Sequence, residues 1–143
     1  MKRRKRQKHG IREFEKLKYL ISATLIVAGI IHILPLVGVL GSERLTALYG
    51  IPFDEPNLAI LMRHRAVLLG LFGALFVVAA FFRTLQPTAF MTGLITVVSF
   101  LLLTWLTGNY NEQIGRVFIA DLVALICLIV GGAAYIYTEI GQA

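Results

Sequence analysis

The chain has 143 residues, a length that allows one domain of ordinary size. Hydrophobic residues make up 57% of it and charged residues 15%, whereas soluble domains are about 25% charged. This composition excludes a disordered chain, a collagen-like fibre and a soluble enzyme with a water-facing surface on all sides. Nine of the fourteen Lys and Arg residues lie within residues 2–18. We therefore divide the chain into a basic tail, 1–18, and a membrane domain, 19–143.

Four apolar stretches are long enough for a helix to cross a bilayer, which takes about 20 residues. They run from Tyr19 to Leu40, from Leu58 to Phe82, from Pro87 to Leu106 and from Val117 to Tyr137. Short connections imply antiparallel neighbours. The sequence therefore predicts an all-α membrane protein, an up-down bundle of four transmembrane helices.

The distribution of Lys and Arg predicts the orientation of these helices. With the N-terminus in the cytoplasm, ten basic residues lie on the inner side and at most four on the outer side. We expect a multi-pass protein of the bacterial inner (plasma) membrane with both termini cytoplasmic. The basic tail would then contact anionic lipid head groups and no nucleic acid, since no aromatic residues interleave its charges.

The longest connection, residues 41–57, predicts a short interfacial helix on the outer side. Ser42 is a good N-cap, and Gly50 is a good C-terminal stop. The apolar side chains between them share one face: Leu45, Leu48 and Tyr49. We expect this face to lie on the membrane surface. Asp54 or Asn57 is expected to cap the second span.

Ionisable side chains within a span are costly in lipid, so each is a candidate functional residue. The candidate ligand-binding residues are His32, Arg63, His64, Arg65, Arg116 and Asp121. At 1.5 Å per residue, His64 lies about 9 Å, Asp121 about 6–10 Å and His32 about 12–13 Å below the outer helix ends. All would lie in the outer half of the bilayer. The His32 side chain leans toward the membrane centre, so we expect it to lie apart from the others.

Small residues indicate which helix faces meet. A stripe of Ala and Gly within residues 66–74 follows Arg63 on the second span, and a similar stripe on the fourth span borders Asp121. We therefore expect an Arg63–Asp121 pair, with His64 or Arg116 alongside. Two interpretations stay open: an ion pair that fixes helix register, and a site for an anion or a polar head group.

His32 also has two interpretations. Its ring can form a hydrogen bond with a backbone carbonyl loosened by Pro35. Alternatively, the ring can ligate a metal or haem, and a haem would be held by His32 and His64 together. Cys127 is the only cysteine, which excludes a Cys-based metal cluster, and we predict no metal site. On the third span, three hydroxyl residues share a face and predict hydrogen bonds between helices: Thr92, Thr96 and Ser99.

Three motifs occur within residues 20–137: His32-Ile33-Leu34-Pro35, then Gly41-x-Glu43-Arg44-Leu45-x-x-Leu48-Tyr49-Gly50-Ile51, then Asp54-x-Pro56-Asn57-Leu58-x-x-Leu61-x-Arg63-His64-Arg65-Ala66. They resemble those of small four-helix proteobacterial inner-membrane proteins of the DoxX-like and DUF4345-like group. By fold-level analogy, this resemblance implies a membrane redox or quinone-linked role. Proteins of the group often carry the label phosphopantetheine adenylyltransferase. This chain has neither the soluble nucleotide-binding fold nor the phosphate motif of that enzyme.

Three functions stay open. The leading hypothesis is a non-catalytic accessory or scaffold subunit of a larger membrane complex, or a homo-oligomer. The alternative is a binding protein for a lipid head group, a quinone or another amphiphile in an outer polar pocket. The third is a membrane redox protein or enzyme that uses His64, Asp121 or a bound haem, with haem or quinone as the cofactor.

The orientation generates the first testable prediction. A reporter that is active only in the periplasm should be inactive when it is fused after Ala143, because ten inner basic residues outweigh four outer ones. A fluorescent protein that folds only in the cytoplasm is the matched reporter and should be bright at the same position. The opposite pattern of the two signals would contradict the predicted orientation.

Overall fold

The structure is a computed structural model that describes the backbone of residues 2–141 and the side chains of residues 12–141. Its α-helices are α1 (Lys2–Ile33), α2 (Ser42–Tyr49), α3 (Pro56–Ala79), α4 (Gln86–Thr107) and α5 (Glu112–Ile140). Two 3-10 segments, Leu34–Leu40 and Arg83–Leu85, complete the fold, and residues 2–141 contain no β-strand. Four stretches are long and apolar enough to cross a membrane: Arg12–Leu40, Pro56–Ala79, Arg83–Thr107 and Glu112–Ile140. The predicted all-α bundle of four spans is confirmed.

The first helix begins well before the predicted span. α1 is continuous from Lys2 to Ile33, so no break in the helix separates the basic tail from the membrane domain. The side chains of residues 2–11, and with them the predicted contact to anionic lipids, lie outside the described part. Pro35 lacks an N–H group and cannot continue an α-helix. The chain therefore passes into the tighter segment Leu34–Leu40.

The four long helices form a ring in the order α1, α3, α4, α5. Within the described residues, no Cα of α3 lies within 8 Å of one in α5, so these two helices are diagonal. Glycines let α1 approach both of them. A Cβ on Gly73 of α3 would lie 2.7 Å from the Gly29 carbonyl oxygen, and Gly131 of α5 lies against Thr24. Both small-residue stripes thus pack on α1 and not on each other.

The bundle is tightly packed in the half that holds the start of α1 and the end of α5, which we call the terminal half. Its core joins all four long helices through buried side chains that include Leu25, Phe76, Phe90 and Leu128. Arg83 closes this end, because its Nε and Nη2 both donate to Glu139 Oε1, at 2.9 and 2.6 Å. The opposite half, which carries α2, has a separate and smaller buried cluster.

α2 confirms the predicted short helix but not its environment. Gly50 ends the helix in the left-handed conformation (φ 69°), and its N–H donates to the Thr46 carbonyl at 2.8 Å. Its apolar face does not lie on lipid, because Leu45 and Tyr49 are buried in a cluster with Phe53. Side chains of α3 and α5 pack on this cluster: Met62, Ile114 and Val117. α2 is therefore a roof over the bundle.

Two predicted helix caps are wrong. Ser42 is the first residue of α2, and Gly41 occupies the cap position without a side chain to offer. Glu55, rather than Asp54 or Asn57, caps α3, and its carboxylate accepts from the amides of Asn57 at 2.9 Å and Leu58 at 2.6 Å. These two hydrogen bonds hold the pKa of Glu55 below its usual range. A carboxylate one residue before Pro56 reaches the exposed amides of the first turn.

The glycine contact between α1 and α3 can be tested directly. Gly73→Ala should lower the melting temperature in detergent, because the new Cβ would meet backbone atoms that cannot move aside, at a cost of about 1–3 kcal/mol. Gly132→Ala on α5 is the matched control, since its Cβ would lie 3.8 Å from Phe90, an ordinary contact. That variant should be neutral or stabilised by up to about 1 kcal/mol through helix propensity. Equal shifts for the two variants would contradict this packing.

Candidate functional site

A cavity of about 810 Å³ lies in the α2 half of the bundle, within the usual range of ligand pockets, about 300–1,000 Å³. It opens where α1 ends. The segment Leu34–Leu40 packs on α2 and α3 but, within the described residues, not on α4 or α5. The space that a continued α1 would fill between α3, α4 and α5 therefore remains open. The ionisable and amide side chains on its wall are His32, Tyr49, Arg65, Tyr110, Gln113, Arg116 and Asp121.

Arg65 is the arginine that α3 presents to the cavity. Its guanidinium carbon lies 5.5 Å from the centre of the Tyr49 ring and 5.6 Å from that of Phe100. A cation between two aromatic faces is attracted by their quadrupoles. Arg65 forms no ion pair with any side chain among residues 12–141. Two rings therefore fix its position and leave its N–H donors free for a ligand.

Tyr49 brings a hydroxyl group to the cavity from the roof. The residue is only 3% exposed, and within the described part of the chain its hydroxyl has no protein partner. No fully buried side-chain oxygen or nitrogen of the described residues lacks a hydrogen bond, so this hydroxyl must open on the cavity. Burial raises the pKa of Tyr49, while the charge of Arg65 lowers it and that of Asp121 raises it. The hydroxyl is thus a neutral donor at pH 7.

Asn111 holds the roof in place. Its Oδ1 accepts from the Ile114 amide at 2.9 Å and caps α5, while its Nδ2 donates to the Tyr49 carbonyl at 2.8 Å. One side chain therefore joins the end of α2 to the start of α5. Asn111 is not among the residues predicted from the sequence, although an Asn directly before Glu112 is a helix-start signal.

His32 lies on the wall of the same cavity as Arg65, Arg116 and Asp121, and not apart from these candidates as expected. It is buried, its ring edge packs on Phe76 with 4.9 Å between ring centres, and its Nδ1 lies 2.9 Å from the Ala28 carbonyl oxygen. Because a carbonyl only accepts, Nδ1 is the donor, and in the neutral ring Nε2 carries the lone pair. The predicted bond to a backbone carbonyl is confirmed. The acceptor lies one turn before His32, and Pro35 frees a different carbonyl.

Asp121 supplies the negative charge of the cavity. It is half-buried on α5, and it forms no ion pair within the described residues. Arg116, one turn away on the same helix, is 72% exposed and donates to Glu112 Oε1 at 2.6 Å. Arg116 therefore already has its counter-ion. Among the described residues, the cavity is left with one cation and one anion without direct partners, Arg65 and Asp121.

The predicted Arg63–Asp121 ion pair is wrong. Arg63 is exposed, lies outside the cavity and donates from Nε to the Val39 carbonyl at 2.9 Å. The stripe that follows Arg63 faces α1, whereas α5 is diagonal to α3. Arg65 projects about 200° around the helix from Arg63, so it reaches the cavity instead. A stripe of small residues marks the face of α3 that packs closely on α1. The long side chain of Arg65 on the opposite face was the sequence signal for a residue that reaches the cavity.

His64 is also exposed and outside the cavity. It joins neither Asp121 nor Arg116, and the cavity does not pair it with His32 as the haem hypothesis requires. Within residues 12–141, no group of three or more His, Cys, Asp or Glu side chains is placed to hold a metal ion.

The hydroxyl groups of α4 do not bond to other helices as predicted. Thr92, Thr96 and Ser99 each donate to a carbonyl three or four residues earlier in α4, at 2.7–2.8 Å. Serine and threonine within helices commonly bond their own backbone in this way. Thr96 and Ser99 line the cavity, and a hydroxyl group that donates one hydrogen bond can still accept another.

No family model, curated protein or solved structure matches the chain. The resemblance to DoxX-like proteins stays a prediction. The function is therefore argued from the cavity.

Asn111→Asp tests how the roof is held. The variant keeps the acceptor that caps α5 and loses the donor to the Tyr49 carbonyl, so it should lose about 1 kcal/mol of stability. Hydrogen exchange should increase in α2 and not in the first turn of α5. Asn111→Ala loses both bonds and should increase exchange in both places. Unchanged exchange of α2 in both variants would show that another contact holds the roof.

Proposed function

We propose that this protein binds a membrane amphiphile in the cavity beneath α2. The observation that carries the proposal is a cavity within the spans that combines two charged groups without direct partners, Arg65 and Asp121, with apolar walls. Amphiphile sites need this combination, because the polar groups orient the head while the apolar walls take the chain. The head group lies between Arg65, Tyr49 and Asp121.

The apolar chain has an exit to the lipid. Leu34 and Leu103 line the cavity and are also 61% and 64% exposed on the surface of the bundle. These side chains belong both to the cavity wall and to the outer surface, so an alkyl chain can pass beside them into the bilayer. The packed core of the terminal half, with Phe76 and Leu128, closes the other end. A cavity that is closed at one end can hold a ligand.

A purely structural role is a weaker explanation of these charges. Charges that stabilise a membrane bundle normally pair with each other, because an unpaired one costs at least about 2.5 kcal/mol near the bilayer centre. Arg65 and Asp121 line one cavity without forming an ion pair. A polar head group between them would supply the missing hydrogen bonds.

The predicted orientation and location complete the proposal. The excess of Lys and Arg on the terminal side favours cytoplasmic termini and α2 on the outside of the inner membrane. The ligand would then come from the outer leaflet. A quinone-linked role, which the DoxX-like resemblance implies, would use the same cavity because a quinone is also an amphiphile. The accessory-subunit hypothesis stays a separate prediction that the cavity does not require.

Filling the cavity tests the proposal. Ala120→Phe adds a ring to the cavity wall on α5, so a molecule that co-purifies with the wild-type chain should fall to a tenth or less, by mass spectrometry of organic extracts. Ala133→Phe is the matched control, since Ala133 is exposed on the same helix outside the cavity. This control should retain the molecule at the wild-type level. Equal retention by both variants would contradict binding in this cavity.

A further inference from the structure

We infer that the cavity selects a dipolar head group with a phosphate at one end and a primary ammonium at the other, as in an aminophospholipid. The inference rests on the proposed function and specifies its ligand class. It depends on where the structure places the two charges that lack partners.

The two charges come from helices that face each other across the ring. Arg65 belongs to α3 and Asp121 to α5, and these helices are diagonal in the ring. The guanidinium of Arg65 is held by the rings of Tyr49 and Phe100, whose centres lie 5.5 and 5.6 Å from its carbon. A ligand that enters the cavity therefore meets a cation on α3 and an anion on α5.

Other charge patterns fit this arrangement less well. An anionic head group pairs with Arg65 but brings a like charge toward Asp121. A cationic head group pairs with Asp121 but brings a like charge toward Arg65. Arg116 does not shift the balance toward anions, because it is exposed and paired with Glu112. A head with both charges meets a counter-ion at each end.

The chemistry of each wall matches one end of this head. A guanidinium fork binds phosphate oxygens through parallel N–H donors. A carboxylate accepts from the three donors of an ammonium group. The Tyr49 hydroxyl can donate to a further phosphate oxygen, and His32 Nε2 can accept from the ammonium. The cavity thus offers donors at Arg65 and Tyr49 and acceptors at Asp121 and His32.

The experiment compares two lipids with identical acyl chains. The purified full-length chain in detergent is mixed with equal amounts of phosphatidylethanolamine and phosphatidylglycerol, and bound lipid is counted by native mass spectrometry. The wild-type chain should retain the ethanolamine lipid about tenfold over the glycerol lipid. Asp121→Asn should reduce this preference to about parity while lipid is still bound. Asp121→Glu keeps the charge and should keep the preference.

The arginines supply a matched pair of variants. Arg65→Gln should lower retention of both lipids about tenfold, because each carries a phosphate. Arg63→Gln, two residues away and outside the cavity, should behave as the wild type. Free phosphoethanolamine identifies the source: displacement of the lipid indicates a soluble zwitterion, no displacement indicates the lipid, and both agree with a dipolar site.

Failure of the dipolar site can be distinguished from failure of the proposed amphiphile binding. Equal binding of the two lipids by the wild-type chain, or a preference for phosphatidylglycerol, overturns the dipolar site and leaves amphiphile binding intact. Retention that is the same in the wild type, Arg65→Gln and Ala120→Phe overturns both proposals, because the lipid then binds elsewhere on the bundle.

Discussion

The close approach of α1 to both α3 and α5 is the constraint on which the rest of the structure depends. Gly29 and Gly73 bring the backbones of α1 and α3 together, and Gly131 does the same for α5 beside Thr24. With α1 between them, α3 and α5 take diagonal corners and α4 closes the ring. The order of the ring decides which charged residues can meet and which helices form opposite walls.

The cavity follows from where α1 stops. The α-helical part of α1 ends at Ile33, and the segment after it turns onto α3 and beneath α2. The terminal half is filled by side chains from four helices, whereas the α2 half lacks one of them. Tyr49 and the roof cover the open corner, and Asn111 ties that roof to α5. One helix thus packs one half of the protein and, by ending early, leaves a site in the other.

The electrostatics of the site have the same origin. If α3 and α5 were neighbours, Arg65 or Arg63 could pair directly with Asp121 and the cavity would lose its charges. Because the helices are diagonal, the cation on α3 is held by aromatic rings and the anion on α5 forms no ion pair with it. Opposite charges across a gap, in a region with little water, interact strongly with any polar group placed between them.

The sequence predicted features that depend on local pattern. Apolar length gave the four spans, and Gly50 correctly marked the end of α2, because a left-handed residue favours glycine. Which helices become neighbours depends on contacts between distant segments, so the pairing of Arg63 with Asp121 could not be decided locally. His32 illustrates the same limit. Its depth suggested a separate position, but the early end of α1 opens a cavity tall enough to include it.

The most direct test of the central claim is an experimental structure of the chain purified from its native membrane without added lipid, for example in a lipidic cubic phase. The account predicts that α3 and α5 remain diagonal and that density for an elongated molecule lies between Arg65 and Asp121, with its tail leaving past Leu103. A collapsed cavity in which Arg65 and Asp121 form a direct ion pair would contradict it.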